Sequence, residues 1–292
     1  MSKLPSFMII GAMKSATTTL QDQLVQQPGI FMCDPKEPNF FSDDSEYSKS
    51  MDWYLNLFES APVDSLLGEA STHYTKLPTY PETVARIKQH CPNTRFIYVM
   101  RHPIDRLVSH YIHEWSMGVY KCGINEAIDI YPELISYSSY AAQLKPYIDS
   151  YGKEKLLPVF FDRLIQTPQA ELERVCKFIG YKQHPVWHES LKAKNVSNKR
   201  IKKFPLYSLL IESSIAKTIR RNLIPKSIRN LVKSKLRMQQ RPVISDENIK
   251  KLEYIFNKDL VILSTWLGCE INCQNFKEVN LSGHSEWVDN ND

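Results

Sequence analysis

The chain has 292 residues, of which 42% are hydrophobic and 24% charged; that is enough apolar material for a sizeable core and excludes a disordered or collagen-like chain. A net charge of +5 suits an anionic ligand and is too small to point to nucleic acid. Six scattered cysteines without C-x-x-C spacing exclude a sequence-evident zinc site and fit a reducing compartment; no apolar run reaches membrane-spanning length and the N-terminus lacks the layout of a secretory leader, so a cytoplasmic protein is expected.

The first predicted element is a strand, Phe7 to Ile10, apolar, partly β-branched and closed by Gly11. Lys14, Ser15, Thr17, Thr18 and Thr19 follow, then Leu20, Leu24 and Val25 at helical spacing. A strand that turns tightly into a helix gathers backbone N–H groups and the positive end of the helix dipole, which suits an anion. Lys14 adds a point charge and the hydroxyls add donors. The bland alternative is a Thr-rich start to a core helix with a solvated Lys. The loop is not a Walker A motif, because Met13 rather than Gly precedes Lys14.

The stretch Gly11-Ala-Met-Lys-Ser-Ala-Thr-Thr-Thr-Leu20 resembles the loop G-x-x-K-[SA]-G-T-T-x-L of sulfotransferases that use 3′-phosphoadenosine 5′-phosphosulfate (PAPS). The resemblance implies that Lys14, Ser15, Ala16, Thr17, Thr18 and Thr19 hold the 5′-phosphate end. It gives the backbone amides from Ser15 to Thr18 to that phosphate, and to Lys14 a catalytic role at the bridging oxygen. Ala16 stands where the family has Gly. An Ala at positive φ would be strained, so ordinary helical or bridge-region backbone is expected there.

Gly29 to Cys33 reads as a second short strand. Asp34-Pro-Lys-Glu-Pro-Asn-Phe-Phe41 follows. Two prolines bracket a Lys–Glu pair, so Glu37 is expected on a fixed extended loop anchored by Phe40 and Phe41. A surface turn with a solvated ion pair is the alternative. The run resembles the K-E-P-[HN]-F-F motif of heparan-sulfate-type sulfotransferases and their bacterial relatives. That resemblance makes Glu37 the general base toward the acceptor, and Asn39 takes the place of a frequent His.

Ser42 to Ser50 reads as a polar loop, and Trp53, Tyr54, Leu57 and Phe58 as a helix packed by its apolar face. A strand at Ser65 to Gly68 leads into Gly68-Glu-Ala-Ser-Thr-His-Tyr74, which resembles the family's G-E-x-[ST]-P-x-Y segment with Thr72 in place of Pro. That segment lines the acceptor pocket in the family. His73 is a second candidate base, since His titrates near neutrality; a hydrogen-bonding loop residue is the plainer reading. Pro81 to His90 reads as a helix with Val84 and Ile87 inward.

Arg95 to Met100 is the clearest buried parallel strand. It runs into a helix with Pro103 in its first turn. Arg101, Pro103, Arg106, Ser109 and Tyr111 match the family's R-x-P-x-x-R-x-x-S-x-Y motif, which implies that Arg101 and Ser109 hold the 3′-phosphate. Arg suits the task because its planar fork pairs with a phosphate; Arg106 is equally readable as structural. From Glu114 to Gly123 the chain leaves the core pattern.

Helices are predicted over 123–132 and 138–151, the second with Tyr140, Leu144 and Tyr147 on one face. A strand follows from Lys155 to Phe161, then a helix from Pro168 to Ile179 capped by Gly180. Residues 187–200 form a polar loop. The resemblance places a loop closing over adenosine 3′,5′-diphosphate (PAP) there and makes Lys199 and Arg200 its candidates. Residues 204–236 read as basic amphipathic helix, a membrane or polymer contact or simply a solvated pair packed on the core. Ser245 caps a long final helix with Leu252, Ile255, Phe256, Leu260 and Leu263 inward.

Alternation of strands and helices through residue 180 predicts an α/β fold with a central parallel sheet flanked by helices, completed by a helical C-terminal part. By resemblance this is the P-loop-kinase-like sulfotransferase fold. We expect one domain over 1–292, with an α/β core at 1–180 and the closing loop and helices at 181–280. The expected activity is sulfuryl transfer from PAPS to a hydroxyl or amine of a small natural product or glycan, without metal, nucleic acid or membrane span. The rivals are an ATP-dependent nucleotide kinase of related fold and a non-catalytic nucleotide- or glycan-binding protein.

Overall fold

A computed structural model describes residues 4–191, 240–283 and 286–288. Its centre is a five-stranded, all-parallel sheet: β1 (Phe7–Gly11), β2 (Ile30–Met32), β3 (Leu66–Ala70), β4 (Arg95–Met100) and β5 (Leu156–Phe160), in the spatial order β2-β3-β1-β4-β5. In register, Met8 of β1 lies beside Glu69 of β3 and Phe96 of β4.

Side chains alternate across the sheet, as the pleat requires. Phe7 and Ile9 face α1 (Thr17–Val25) and α10 (Pro168–Ile179), where Leu20, Leu24, Leu172 and Val175 are fully buried. Met8 and Ile10 face a layer that includes α4 (Thr83–His90), α8 (Tyr140–Tyr151) and α11 (Asp246–Leu267), with Ile87, Leu144 and Leu260 inside. Each such fully buried Leu or Phe contributes about 1.5–3 kcal/mol of transfer free energy. Between β2 and β3 lie α2 (Asp44–Tyr47) and α3 (Met51–Asn56). Between β4 and β5 lie α5 (Pro103–Met117), α6 (Ile124–Ile130), α7 (Glu133–Ser136) and α8. The helix α9 (Phe161–Gln166) starts directly at the end of β5, and α12 (Phe276–Leu281) follows α11.

Both faces of the sheet are covered by helices, as the alternating pattern predicts. Ser245 caps α11 with its hydroxyl accepting from the Asn248 amide at 3.3 Å, and Gly180 ends α10 at φ 84°. The long helix also reaches toward the sheet's carboxyl edge. The Asp259 carboxylate accepts from the amides of Ala141 and Ala142, both at 2.9 Å, and so caps α8 from outside.

Several boundaries move. The segment read as a polar loop contains α2, because Asp43 accepts the Ser45 amide at 2.9 Å and nucleates one turn. Helix α5 continues past Glu114 to Met117, where Gly118 closes it at φ 78°. Strand β3 reaches Ala70, and α9 begins at Phe161, the residue expected to end the strand.

Two backbone expectations are overturned. Ala16 is left-handed, at φ 68° and ψ 21°, so the missing Gly does not mean ordinary backbone. Glu37 and Asn39 are also left-handed, at φ 58° and 54°, so the loop bracketed by prolines is not extended. The physical reason is tertiary. Glu37's amide donates to the Ala70 carbonyl at 3.0 Å, and Asn39's carbonyl accepts from the Ser42 and Asp43 amides, which together bend the chain twice.

Candidate functional site

In the order β2-β3-β1-β4-β5 the chain leaves β1 toward one edge of the sheet and later crosses to the other side to form β4 and β5. The crevice beyond the carboxyl ends of β1 and β4 is therefore the topological switch point, where open parallel sheets take ligands. A cleft of about 860 Å³ opens there.

Its floor is the loop after β1. Gly11 packs so tightly that a Cβ there would lie 2.1 Å from the Thr75 hydroxyl. Lys14 and Ala16 are both left-handed, which coils the loop before α1. Ala16 sits at the N-cap and offers no side-chain acceptor, so the first-turn amides of Thr17, Thr18 and Thr19 are left to a ligand. Lys14, Ala16 and all three threonines line the cleft. Ser15 does not line it in the expected way. Its amide donates to the Ala12 carbonyl at 3.1 Å, and its hydroxyl is fully buried with no hydrogen-bond partner among the described residues.

The end of β4 supplies Arg101. Tyr140 fixes its main chain: the phenol accepts from the Arg101 amide at 3.2 Å and donates to the Arg101 carbonyl. The guanidinium lies over the Phe161 ring at 4.7 Å and donates to the Lys14 carbonyl at 3.5 Å, so the ends of β1, β4 and β5 meet at this side chain. Ser109, two turns into α5, lines the same cleft. Arg106 does not. It is fully buried and donates to the Ser138 hydroxyl and the Leu134 carbonyl, tying α5 to α7.

Across the cleft stands Glu37. Its carboxylate pairs with Lys36 at 2.6 Å and accepts from the Thr72 hydroxyl at 3.3 Å. Burial pushes its pKa up, but Lys36, then Lys76 and His73, outweigh that and hold the group below the usual glutamate range. Phe40 and Phe41 anchor the loop as expected: both are buried, and Phe40 stacks on Tyr54 at 4.8 Å.

His73 comes from a 3-10 turn, Thr72–Thr75. Its ring stacks on Tyr80 at 4.9 Å, and its Nδ1 is buried without a hydrogen-bond partner. Burial and the neighbouring Lys76 push its pKa down to about 4, so the imidazole is neutral at pH 7.

The sequence reading missed Lys76, which also lines the cleft. Burial lowers its pKa to about 8 against the opposing pull of Glu37 and Glu114. No local pattern sets it apart, since the turn before it, Thr72-His-Tyr-Thr75, is itself polar. A second missed feature is an apolar wall of Phe161, Leu164, Ile165, Pro168 and Trp187; the position of Phe161 at a strand's carboxyl end was its signal.

The main chain around Trp187 is held by three glutamines. Gln23 exchanges two bonds with His188 (2.8 and 3.0 Å) and Gln27 two with Val186 (both 2.9 Å). Gln169 accepts from the Trp187 amide at 2.8 Å. The predicted closing residues Lys199 and Arg200 lie outside the described residues, as does the basic segment 204–236.

The residues present fit PAPS. The uncapped start of α1 with Lys14 and the threonines offers donors at one point, Arg101 and Ser109 offer them at another, and the apolar wall suits a purine. Among the described residues no group of three or more His, Cys, Asp and Glu could hold a metal ion, and no helix is long and apolar enough to cross a membrane.

The cleft at the switch point is thus lined by a lysine loop, a strand-end arginine and a loop carboxylate, and the chain that builds it matches a known family, the sulfotransferase domain. That family matches residues 4–259, so the chain belongs to the sulfotransferase family, a class of transferases whose sulfuryl donor is PAPS. Among its relatives is the mouse heparan sulfate glucosamine 3-O-sulfotransferase 3B1, 30% identical over 193 residues, which are 62% of this chain and 47% of that protein. Mouse bifunctional heparan sulfate N-deacetylase/N-sulfotransferase 3 is 27% identical over 209 residues, 65% of this chain and 24% of that protein. The chain thus spans about half or less of the length of these curated relatives. A sulfotransferase from Alicyclobacillus acidocaldarius has the same fold, with a TM-score of 0.66 at 21% identity over 92% of this chain and 97% of that one.

Proposed function

We propose that this chain transfers a sulfuryl group from PAPS to a hydroxyl or amine on a glycan or small natural product, with Glu37 as general base. The observation that carries the reading is that Glu37 and Lys14 face one cleft from opposite loops. PAPS, when bound, supplies the sulfuryl group and the adenosine 3′,5′-diphosphate leaving group.

In this reading the first-turn amides and the hydroxyls of Thr17 and Thr18 bind the 5′-phosphate. Lys14 stabilises negative charge where the leaving oxygen departs. Arg101 and Ser109 bind the 3′-phosphate, and the wall carrying Trp187 excludes water around the adenine. Glu37, held ionised by Lys36, takes the proton from the acceptor as that group attacks sulfur in line. His73, neutral and unpartnered at Nδ1, is the second candidate for that proton. Lys76 sits beside Glu37 on the acceptor side and suits a polar or anionic neighbour of the reacting group.

A glycan acceptor is supported by the relatives, which are named for heparan sulfate. A cytoplasmic setting is part of the reading; it is supported by six thiols, none of them in a disulfide. The test is release of adenosine 3′,5′-diphosphate from PAPS across a panel of hydroxyl and amine acceptors, glycan and small-molecule, by wild type and Glu37→Ala. Acceptor-dependent release that needs Glu37 supports the reading; no release with any acceptor, or tighter binding of ATP than of adenosine 3′,5′-diphosphate, would overturn it.

A further inference from the structure

Glu69 belongs to the segment expected to line the acceptor pocket, yet it is fully buried, and Ser71 is buried with it. Of that segment only Thr72 and His73, with Lys76 beyond it, reach the cleft. The hydrogen bonds of the Glu69 carboxyl come from hydroxyls: Tyr54 donates to Oε2, Ser71 donates to Oε1 at 2.7 Å, and Tyr74 is a further contact. The other titratable groups facing it are the buried thiols Cys33 and Cys91 and the buried Tyr147 phenol. A buried acid with no basic partner is costly, and its place in the fold shows what it holds.

The Ser71 hydroxyl has one hydrogen. With that hydrogen directed to Glu69, its lone pairs face the Asn39 amide, which donates to Ser71 Oγ at 3.1 Å. Three alternate amides of the Glu37 loop are therefore taken by the end of β3 and the segment after it: Glu37 by the Ala70 carbonyl, Asn39 by the Ser71 hydroxyl, and Phe41 by the Tyr74 phenol. Two of those residues, Glu37 and Asn39, have left-handed backbone. Residues other than glycine rarely hold that conformation unless their surroundings impose it. Two of the three ties, at Asn39 and Phe41, rely on hydroxyls that themselves point at Glu69, and of these only the Ser71 hydroxyl holds a left-handed residue.

We propose that Glu69 and Ser71 are positioning residues for the base: Glu69 orients the Ser71 hydroxyl, and that hydroxyl locks the Asn39 amide so that the Lys36–Asn39 loop keeps its two left-handed turns and aims Glu37 into the cleft. The inference rests on the reading of Glu37 as base. It predicts a relay from a buried carboxyl to a catalytic one through a single serine, with no contact between Glu69 and substrate.

The test compares Ser71→Ala, Glu69→Gln and Glu37→Ala with wild type. It measures kcat, KM for PAPS, calorimetric affinity for adenosine 3′,5′-diphosphate, and the pH dependence of kcat/KM for the acceptor. Ser71→Ala is expected to lower kcat about 10- to 100-fold, the scale of a misplaced reacting group, with nucleotide affinity unchanged. Its acid limb should move to higher pH, because a loosened Glu37 loses Lys36, Lys76 and His73 as neighbours. Glu69→Gln keeps an oxygen for Ser71 and is expected to keep both kcat and acid limb near wild type. The proposal is overturned if Ser71→Ala has wild-type kcat and pH profile while Glu37→Ala is inactive. It is equally overturned if Ser71→Ala loses nucleotide affinity in step with kcat, which marks general loosening. Full activity in Glu37→Ala would retire the base and the relay together.

Discussion

Replacing Arg101 with Ala should separate the proposed recognition of the 3′-phosphate from everything else the cleft does. The side chain is preorganised: Tyr140 holds its amide and carbonyl, and Phe161 supports the guanidinium at 4.7 Å. A fork making two charge-assisted hydrogen bonds to a phosphate, at about 1.5–3 kcal/mol each, totals about 3–6 kcal/mol. The guanidinium is partly exposed, so solvent screening removes roughly a third of that and leaves about 2–4 kcal/mol. The dissociation constant for adenosine 3′,5′-diphosphate should therefore rise about 30- to 1,000-fold in Arg101→Ala. Calorimetry is the assay, with adenosine 5′-monophosphate as the control ligand, because it lacks the group that Arg101 is argued to hold. Its affinity should be the same in both proteins. An equal loss for both nucleotides would show that Arg101 shapes the cleft rather than reading the 3′-phosphate, and would refute the assignment.

Glu37→Gln should lower kcat about 100- to 10,000-fold, the usual range for removing a general base, with nucleotide affinity unchanged. Because Lys36 holds the Glu37 pKa below its ordinary value, the base is competent above that value, and wild-type kcat/KM should fall with acid only below the usual glutamate range; a limb near pH 6 or above would implicate another group. Ala16→Gly should stabilise the fold by about 0.5–1 kcal/mol, since left-handed Ala costs roughly 1–2 kcal/mol and the added chain entropy of Gly offsets part of the gain; denaturant unfolding reads this, and a loss of stability would contradict it. Gly68→Ala should destabilise by about 1–3 kcal/mol through overpacking, because its Cβ would lie 2.2 Å from the Phe7 ring and 2.5 Å from the Met32 sulfur; an unchanged unfolding midpoint would refute that packing.

Much of the cleft lining was legible because it sits at strand ends, where a short local pattern announces the element. The run from Gly11 to Leu20 and the pairing of Arg101 with Ser109 carry their spacing within one turn or one helix. Glu37 was legible from its neighbours, but its backbone was not. Proline rules predicted extension, whereas hydrogen bonds to Ala70 and Ser71, more than thirty residues away, impose left-handed turns. Ala16 was misjudged for a related reason: residue identity reports what a backbone prefers, and the surrounding loop overrode it. Lys76 and Trp187 were missed because nothing local marks them. They become part of the site only when the 3-10 turn after β3 and the strap after α10 close around the crevice.

That strap shows how the cleft divides its dependence on medium. One side of the cleft carries Lys14 and Arg101, whose pull on an anion weakens as salt shortens the Debye length from about 10 Å at 0.1 M to about 3 Å at 1 M. The apolar wall around Trp187 is fastened by the neutral amides of Gln23, Gln27 and Gln169, which neither titrate nor attract counterions. Raising ionic strength should therefore weaken the grip on a nucleotide while leaving the wall around Trp187 in place. The fluorescence of that wall and the nucleotide's affinity should then respond to salt independently.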